Sequence, residues 1–357
     1  MNAASKVDLE DTDGLLAADR DGLLRAASSA GAQVRAIAAA ADEGALDLLS
    51  GDERPRSVVW VSGRGTAETA GSILAATLGG SASAPIVLTG ETPPWVGPLD
   101  VLIVAGDDPG DPALVSAAAT GVRRGARVLV VAPYEGPLRD STAGRVAVLA
   151  PRLWIPGEFG LCRYLGAGLA ALRVVDPSAT FELAALADEL DAETLRNSAS
   201  RELFTNPAKT IAARMAGRRV ALAGDCAATL ALARHGSSML LRIAHEAVAA
   251  TGLADAVTAL RGAAAGSPVD SLFHDEELDG PLPDRLRVLA LTLADERTVV
   301  AARVAGLDDV TLLAAHDVPD MPGEPAGPTG AAPADQQLAV LAVRLEMAAV
   351  YLRLVRG

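Results

Sequence analysis

Short apolar runs alternate along the chain with segments in which apolar residues recur at helical spacing. DGLLRAASSAGAQVRAIAAAADEGALDLL places Leu23, Leu24, Val34, Ile37 and Leu46 near that spacing, so the first 50 residues read as helical. RPRSVVWVSGRG follows, with an apolar run over 57–61 closed by a Gly-rich turn, the pattern of a short buried strand. ETAGSILAATLG reads as a helix, PIVLTG and PLDVLIVAG as strands, and ALVSAAATGVRRG as a helix. ARVLVVAP is a further strand and RVAVLAP a shorter one. Strands alternating with helices indicate parallel βαβ units, because parallel neighbours need a crossover between them.

The pattern then restarts. PGEFGLCRYLGAGLAALRVV reads as a helix, and FELAALADELDAETLRNSAS as a charged amphipathic helix that connects two parts. AGRRVALAGDCAATLALA echoes RPRSVVWVSGRGTAETAG: basic residues, a short strand, a Gly turn, an Ala-rich helix. The echo points to two related α/β halves with a boundary near 176–205. ADAVTAL, DRLRVLALTL and DDVTLLAA are strand candidates of the second half. Residues 319–337 are rich in Pro, Gly and Ala and read as a linker. LAVLAVRLEMAAVYLRLVRG reads as one strongly apolar helix that must dock on a surface. The expected organisation is a first domain at 1–180, a second at 181–318, the linker, and a helix at 338–357.

The 357 residues suffice for about two domains. Aromatic residues are only 3%, so Ala, Val and Leu must build the core. The net charge of −14, with no basic run interleaved with aromatics, argues against nucleic acid and against an anionic membrane surface. No apolar run reaches the roughly 18–20 residues of a membrane span without interruption. Cys162 and Cys226 lie far apart in no metal-type spacing, and no secretory leader pattern is present. Buried, reduced thiols in a cytoplasmic protein are the expectation.

Candidate chemistry is sparse. SGRGTAET, residues 62–69, is a strand-to-helix turn whose glycines let backbone N–H groups approach an anion, with Thr66 adding a hydroxyl. The plainer reading is a tight turn with Thr66 as N-cap. AGDDPGD, residues 105–111, has the same address but carries Asp107, Asp108 and Asp111. Asp111 or Asp108 caps the next helix with Pro112 in its first turn, or the three carboxylates ligate a hard cation such as Mg²⁺. Phosphate is disfavoured there by like charge. RIAHEAVA places His245 and Glu246 on a predicted helix, where a Glu in an apolar pocket would serve as a general base. FHDEELDG, residues 273–280, reads as a polar loop or a metal cluster of no zinc spacing. No paired-His, Walker or nucleophile-elbow motif occurs among the residues.

The order of elements resembles the bifunctional phosphoglucose/phosphomannose isomerases, which are built from two sugar isomerase (SIS) domains. DRDGLLRAASSAGAQVRAIA resembles that family's first helix and SGRGTA its Gly-Gly-Ser-Ala substrate loop. RRGARVLVVAP is similar to the strand after its phosphate helix, and AAVYLRLVRG to its last matched helix. NPAKTIAARMAGRRVALAG is similar to its Asn-Pro-Ala-Lys entry into the second domain. The resemblance implies an α/β fold of two flavodoxin-like, three-layer α/β/α SIS domains with parallel sheets. It implies a sugar-phosphate ligand, no cofactor and no metal, and a homodimer, with an enzyme partner as a further option.

Carried over by position, Gly63, Gly65 and Thr66 fall on the substrate loop, and Asp107 and Asp108 on the second anion loop, where the family has hydroxyls. Arg163 stands one turn beyond the family's active-site Arg, whose own place is held by Phe159 or a neighbour; Arg152 is the other candidate. Glu246 falls on the catalytic Glu. ALRGAAAG stands where the family has a His-containing segment. The family's Asp-Pro segment and its last helix with a catalytic Lys have no counterpart in these residues. The expectation is a sugar-phosphate-binding protein with weak or lost isomerase activity. The alternatives are an active aldose–ketose isomerase with a rebuilt site and a non-catalytic partner subunit. A nucleotide-binding oxidoreductase resting on Gly63-x-Gly65 and Glu91 ranks below them, because the third glycine of that fingerprint is Glu68.

Overall fold

The computed structural model describes residues 7–51, 53–176, 178–264, 285–317 and 332–356. Its contacts divide the chain into two compact units, residues 22–195 and residues 1–21 with 196–357, where the sequence placed the division at 180/181.

The 22–195 unit opens with α2 (Leu23–Ala27) and α3 (Ala30–Asp42). The strands β1 (Ser57–Ser62), β2 (Ile86–Thr89), β3 (Asp100–Ala105), β4 (Arg127–Val131) and β5 (Ala147–Val148) form one parallel sheet, ordered β2-β1-β3-β4-β5. Between and after them run α4 (Thr66–Leu78), α5 (Pro112–Arg123), α6 (Gly136–Thr142), α7 (Leu161–Val175) and α8 (Leu183–Arg196). Val59, Val61, Leu102 and Val104 pack beneath α5 and α6 with Leu114 and Leu138. The alternate residues face α4 and α7. There the buried Trp60 needs room: a Cβ on Gly71 would sit 2.6 Å from its ring, and one on Gly168 3.1 Å. Its indole N–H donates to Ala67 O at 3.1 Å. Helices on both faces make the three-layer α/β/α architecture that the resemblance implies, on the parallel βαβ units that the pattern of runs predicts.

The other unit repeats the order. β6 (Val220–Gly224), β7 (Ala249–Gly252), β8 (Arg287–Leu291) and β9 (Val310–Leu313) form a parallel sheet ordered β7-β6-β8-β9. α11 (Leu253–Ala264) and α12 (Arg297–Arg303) cover one face through Leu253, Ala256, Leu260, Val288 and Val300. α9 (Pro207–Met215), α10 (Ala227–Ile243) and α13 (Ala334–Arg356) build the remainder, and α1 (Thr12–Ala18) joins them, with Thr12 Oγ1 donating to Ala199 O at 3.1 Å.

Three expectations change here. ADAVTAL is helical, inside α11: Leu253, Ala256 and Leu260 are buried at i, i+3 and i+7, a helical spacing that the β-branched residues disguise. The terminal helix begins at Ala334, inside the expected linker, whose residues 319–331 lie outside the described ones, as do 273–280. Cys226 is half-buried rather than buried, and both cysteines are free.

Between α10 and α13, the buried His235 and Glu346 hydrogen-bond at 2.9 Å. Burial raises the Glu346 carboxyl above the usual carboxylate range, and the His235 hydrogen bond pulls it partly back. A carboxyl with a raised folded-state pKa keeps its proton where the unfolded chain has lost its own. Its contribution is full below the unfolded value and falls as pH rises through the folded one. Glu346→Gln keeps the hydrogen bond but does not titrate. Its urea midpoint relative to the wild type is therefore expected to rise as the pH climbs above the ordinary glutamate range of about 4.3; a constant difference contradicts the raised carboxyl.

Candidate functional site

Ligands of open parallel sheets bind beyond the carboxyl ends of the strands, where the strand order reverses. In the 22–195 unit that point lies between β1 and β3. Gly63 N–H donates to Ala105 O at 3.1 Å and carries the β1–β3 ladder one residue further. Gly65 follows at φ +87, a backbone conformation that favours glycine, with open space where a Cβ would stand. Gly65 is therefore the N-cap of α4, and Thr66 is its first residue rather than the cap. The Thr66 hydroxyl turns inward and donates to Gly157 O at 3.0 Å. Beside this turn lies a cleft of about 760 Å³ lined by Ser62, Arg64, Glu68, Ser72, Thr89 and Asp111. The exposed Arg64 and the free N–H groups of the first turn of α4 attract an anion, and Glu68 and Asp111 oppose it.

The three aspartates of 105–111 do three different things. Asp111 caps α5, accepting from Ala113 N at 2.8 Å with Pro112 behind it. Asp108 accepts from Gly110 N at 2.8 Å and closes the turn. Asp107 reaches across to α7: its Oδ1 accepts from Arg163 Nη2 at 2.6 Å and from the Tyr164 hydroxyl at 2.7 Å. Arg163 Nη2 also donates to the Tyr164 oxygen at 2.7 Å, and its guanidinium carbon lies 4.3 Å from the centre of the Tyr164 ring. Burial pushes the Tyr164 phenol far above the ordinary tyrosine range, so it stays a donor. Gly157 makes room for the carboxylate, since a Cβ there would sit 2.8 Å from Asp107 Oδ2. Arg163 Nη1 is buried without an acceptor, which costs about 1–3 kcal/mol. Among the described residues, no group of three or more His, Cys, Asp or Glu converges as a metal ion requires.

A second cavity of about 340 Å³ opens beside this network, lined among others by Ile37, Asp107, Pro151, Arg152, Trp154 and Arg163. Arg152 pairs there with Glu43, with Nη1 donating to Oε1 at 2.9 Å.

Glu246 lies elsewhere. α10 ends at Ile243, His245 takes φ +56, and Glu246 stands in the following loop rather than on a helix. It pairs with Arg356 beside a cavity of about 320 Å³ that includes Val220 and Ala249, the first residues of β6 and β7. That is the edge where strands begin. The structure thus brings Gly63, Gly65, Thr66, Asp107, Asp108 and Arg163 to one sheet edge and places Glu246 in the other unit. Arg64, Tyr164, Ser72, Thr89 and Trp154 were missed from sequence. For Trp154, the available signal was an aromatic between prolines, just past a strand, in a chain poor in aromatics.

No family model matches the chain, and no curated protein sequence matches it. Solved structures do match in fold. Tagatose-6-phosphate ketose/aldose isomerase from Escherichia coli is 15% identical with a TM-score of 0.63, covering 99% of this chain and 95% of that one. The C-terminal domain of glucosamine-fructose-6-phosphate aminotransferase from Francisella tularensis is 11% identical with a TM-score of 0.58, covering 95% and 98%. A glucose-6-phosphate isomerase like protein from Thermus thermophilus is 19% identical with a TM-score of 0.51, covering 88% and 90%. The chain has the fold of the phosphosugar isomerases. Within this phosphosugar-isomerase fold, the 62–66 turn and the acidic 105–111 turn sit at the adjoining carboxyl ends of β1 and β3.

Proposed function

We propose that the protein binds a sugar phosphate over the 62–66 turn and isomerises it slowly or not at all. The observation that carries this is the 760 Å³ cleft, where Arg64, three hydroxyl side chains and the start of α4 meet at the sheet's switch point. The resemblance to bifunctional phosphoglucose/phosphomannose isomerases supplies the ligand class, with fructose 6-phosphate as the probe. Gly63, Gly65 and Thr66 shape the turn, Asp108 closes the neighbouring one, and Asp107 and Arg163 line the adjacent 340 Å³ cavity rather than this cleft. In this reading the protein is cytoplasmic and homodimeric, on its own or as a partner subunit of another enzyme.

Slow turnover follows from the acid–base chemistry. Aldose–ketose exchange needs a carboxylate beside C1 and C2 and a second proton donor. Glu246 belongs to the other unit, where Arg356 holds it, and Asp107 is held by Arg163 and Tyr164. One observation favours the alternative of a rebuilt isomerase site: the exposed Glu68 lines the same cleft.

A proton NMR time course with fructose 6-phosphate tests both. The expected result is binding that Arg64→Ala weakens, with aldose signals growing far below the ordinary enzyme range of roughly 1–10³ s⁻¹. Turnover inside that range, abolished by Glu68→Gln, would establish the rebuilt isomerase instead. No contact with the ligand at millimolar concentration would sink the proposal.

A further inference from the structure

The 340 Å³ cavity differs in kind from the cleft over α4. Two arginines line it, and each already carries a carboxylate: Arg163 has Asp107, and Arg152 has Glu43. No positive charge is left over for a phosphate, and Asp108 adds a negative one close by. What the floor does offer is an acceptor and a donor on a rigid, mutually tied pair. Among the described residues none donates to Asp107 Oδ2, and the side chain is 45% exposed. Arg163 is nine-tenths buried and its Nη1 has no acceptor. Neighbouring hydroxyls of a polyol answer this arrangement, one accepting from the guanidinium and the other donating to the carboxylate.

The walls are apolar, made by Ile37, Pro133, Pro151, Ile155 and Pro156. At the rim stands Trp154, 96% exposed, against 46% for Trp95, which has Arg56 over its ring, and 2% for the buried Trp60. A flat indole beside a diol-binding pair suits the C–H face of a sugar ring, which packs on aromatic surface while its hydroxyls bond at the edge.

We propose that this cavity is a second carbohydrate site, one that takes a neutral pyranose: ring against Trp154, adjacent hydroxyls on Asp107 Oδ2 and Arg163 Nη1. It is independent of the sugar-phosphate reading of the α4 cleft, because its charge balance and its residues differ.

The test uses methyl pyranosides of the gluco, manno and galacto configurations as neutral probes, with inorganic phosphate as competitor. Saturation-transfer NMR on the whole protein reads contact, and titration reads affinity. At least one glycoside is expected to bind through its ring C–H protons, with no competition from phosphate. Trp154→Ala, at a position too exposed to matter for folding, is expected to weaken it about tenfold, and Asp107→Asn similarly. Arg64→Ala is expected to leave glycoside binding unchanged while it weakens fructose 6-phosphate. The proposal is overturned if none of the glycosides binds at tens of millimolar, if Trp154→Ala leaves binding intact, or if phosphate displaces the glycoside. Fructose 6-phosphate binding without any glycoside binding defeats this site alone; the reverse defeats the sugar-phosphate reading alone.

Discussion

Gly224→Ala is expected to lower the melting temperature by on the order of 10 °C, although it adds one methyl group. Gly224 ends β6, and the first turn of α10 lies directly on it. A Cβ there would overlap the backbone of Thr229 and Leu230, reaching 2.6 Å from Leu230 Cα. Side chains can rotate away from an intruding methyl, but backbone cannot. Neither partner is free to move. β6 is paired on both sides, with Gly224 opposite Gly252 and Leu291. α10 is held against the same sheet at Gly236, where a Cβ would meet Leu222 at 2.7 Å and Leu345 at 3.1 Å. Overpacking of a core typically costs about 1–3 kcal/mol, and a backbone clash between two pinned elements belongs at or above the top of that range. A thermal melt followed by circular dichroism measures it. A melting temperature equal to wild type would mean that α10 does not start against β6 as described.

Lys209→Ala is expected to cost about 3 kcal/mol or more. Lys209 is fully buried, and its ammonium donates to Ala199 O and Arg201 O, both at 2.8 Å, while lying 5.7 Å from the centre of the Tyr351 ring. It is the charge at the centre of the chain's entry into α9. Asn206 caps that helix through Lys209 N–H at 2.9 Å, Asn197 accepts from Ala208 N at 2.7 Å, and Tyr351 donates to Asn197 O at 2.5 Å. Truncation removes two charge-assisted bonds and leaves a void. Ala199 O keeps its bond from Thr12, whereas Arg201 O loses its ammonium donor. Lys209→Met refills the void, so the gap between the two variants reads packing, and the gap between Met and wild type reads the ammonium. The pH dependence gives a second readout. Burial lowers the Lys209 pKa below its ordinary 10.5, so on the alkaline side the folded chain releases this proton before the unfolded chain does. Stability of the wild type relative to Lys209→Met should therefore rise with pH up to that value. Urea midpoints across that window check the sign; a flat difference would place the ammonium in water.

The halves of the fold were legible in different degrees. β1, β3, β4 and β8 are short, nearly unbroken apolar runs, as strands buried on both faces must be, and they were readable at once. β7 was not: AATG is four small residues, and only its pairing with β6 makes it a strand. The echo between RPRSVVWVSGRG and AGRRVALAGDC was legible as sequence, and both sheets do share the order in which their first strand lies between the second and third. The α11 segment misled because Val257 and Thr258 favour strands locally, while burial of Leu253, Ala256 and Leu260 against β6 and β8 favours a helix.

The site divides in the same way. That the 62–66 and 105–111 turns lie at strand ends, and that Asp111 caps a helix beside Pro112, follows from local chemistry that a few neighbouring residues determine. That Asp107 binds Arg163 and Tyr164 does not, because 56 residues and two strands separate the partners. Nor does the placement of Glu246, which turned on where α10 stops and on the Arg356 that meets it. Local patterns along this chain determine which segments become strands, turns and capped helices, since those choices depend on residues within a turn or two. Which charges meet, which carboxylate remains open and which tryptophan stays in water depend on contacts between distant segments, and only the packed chain decides them.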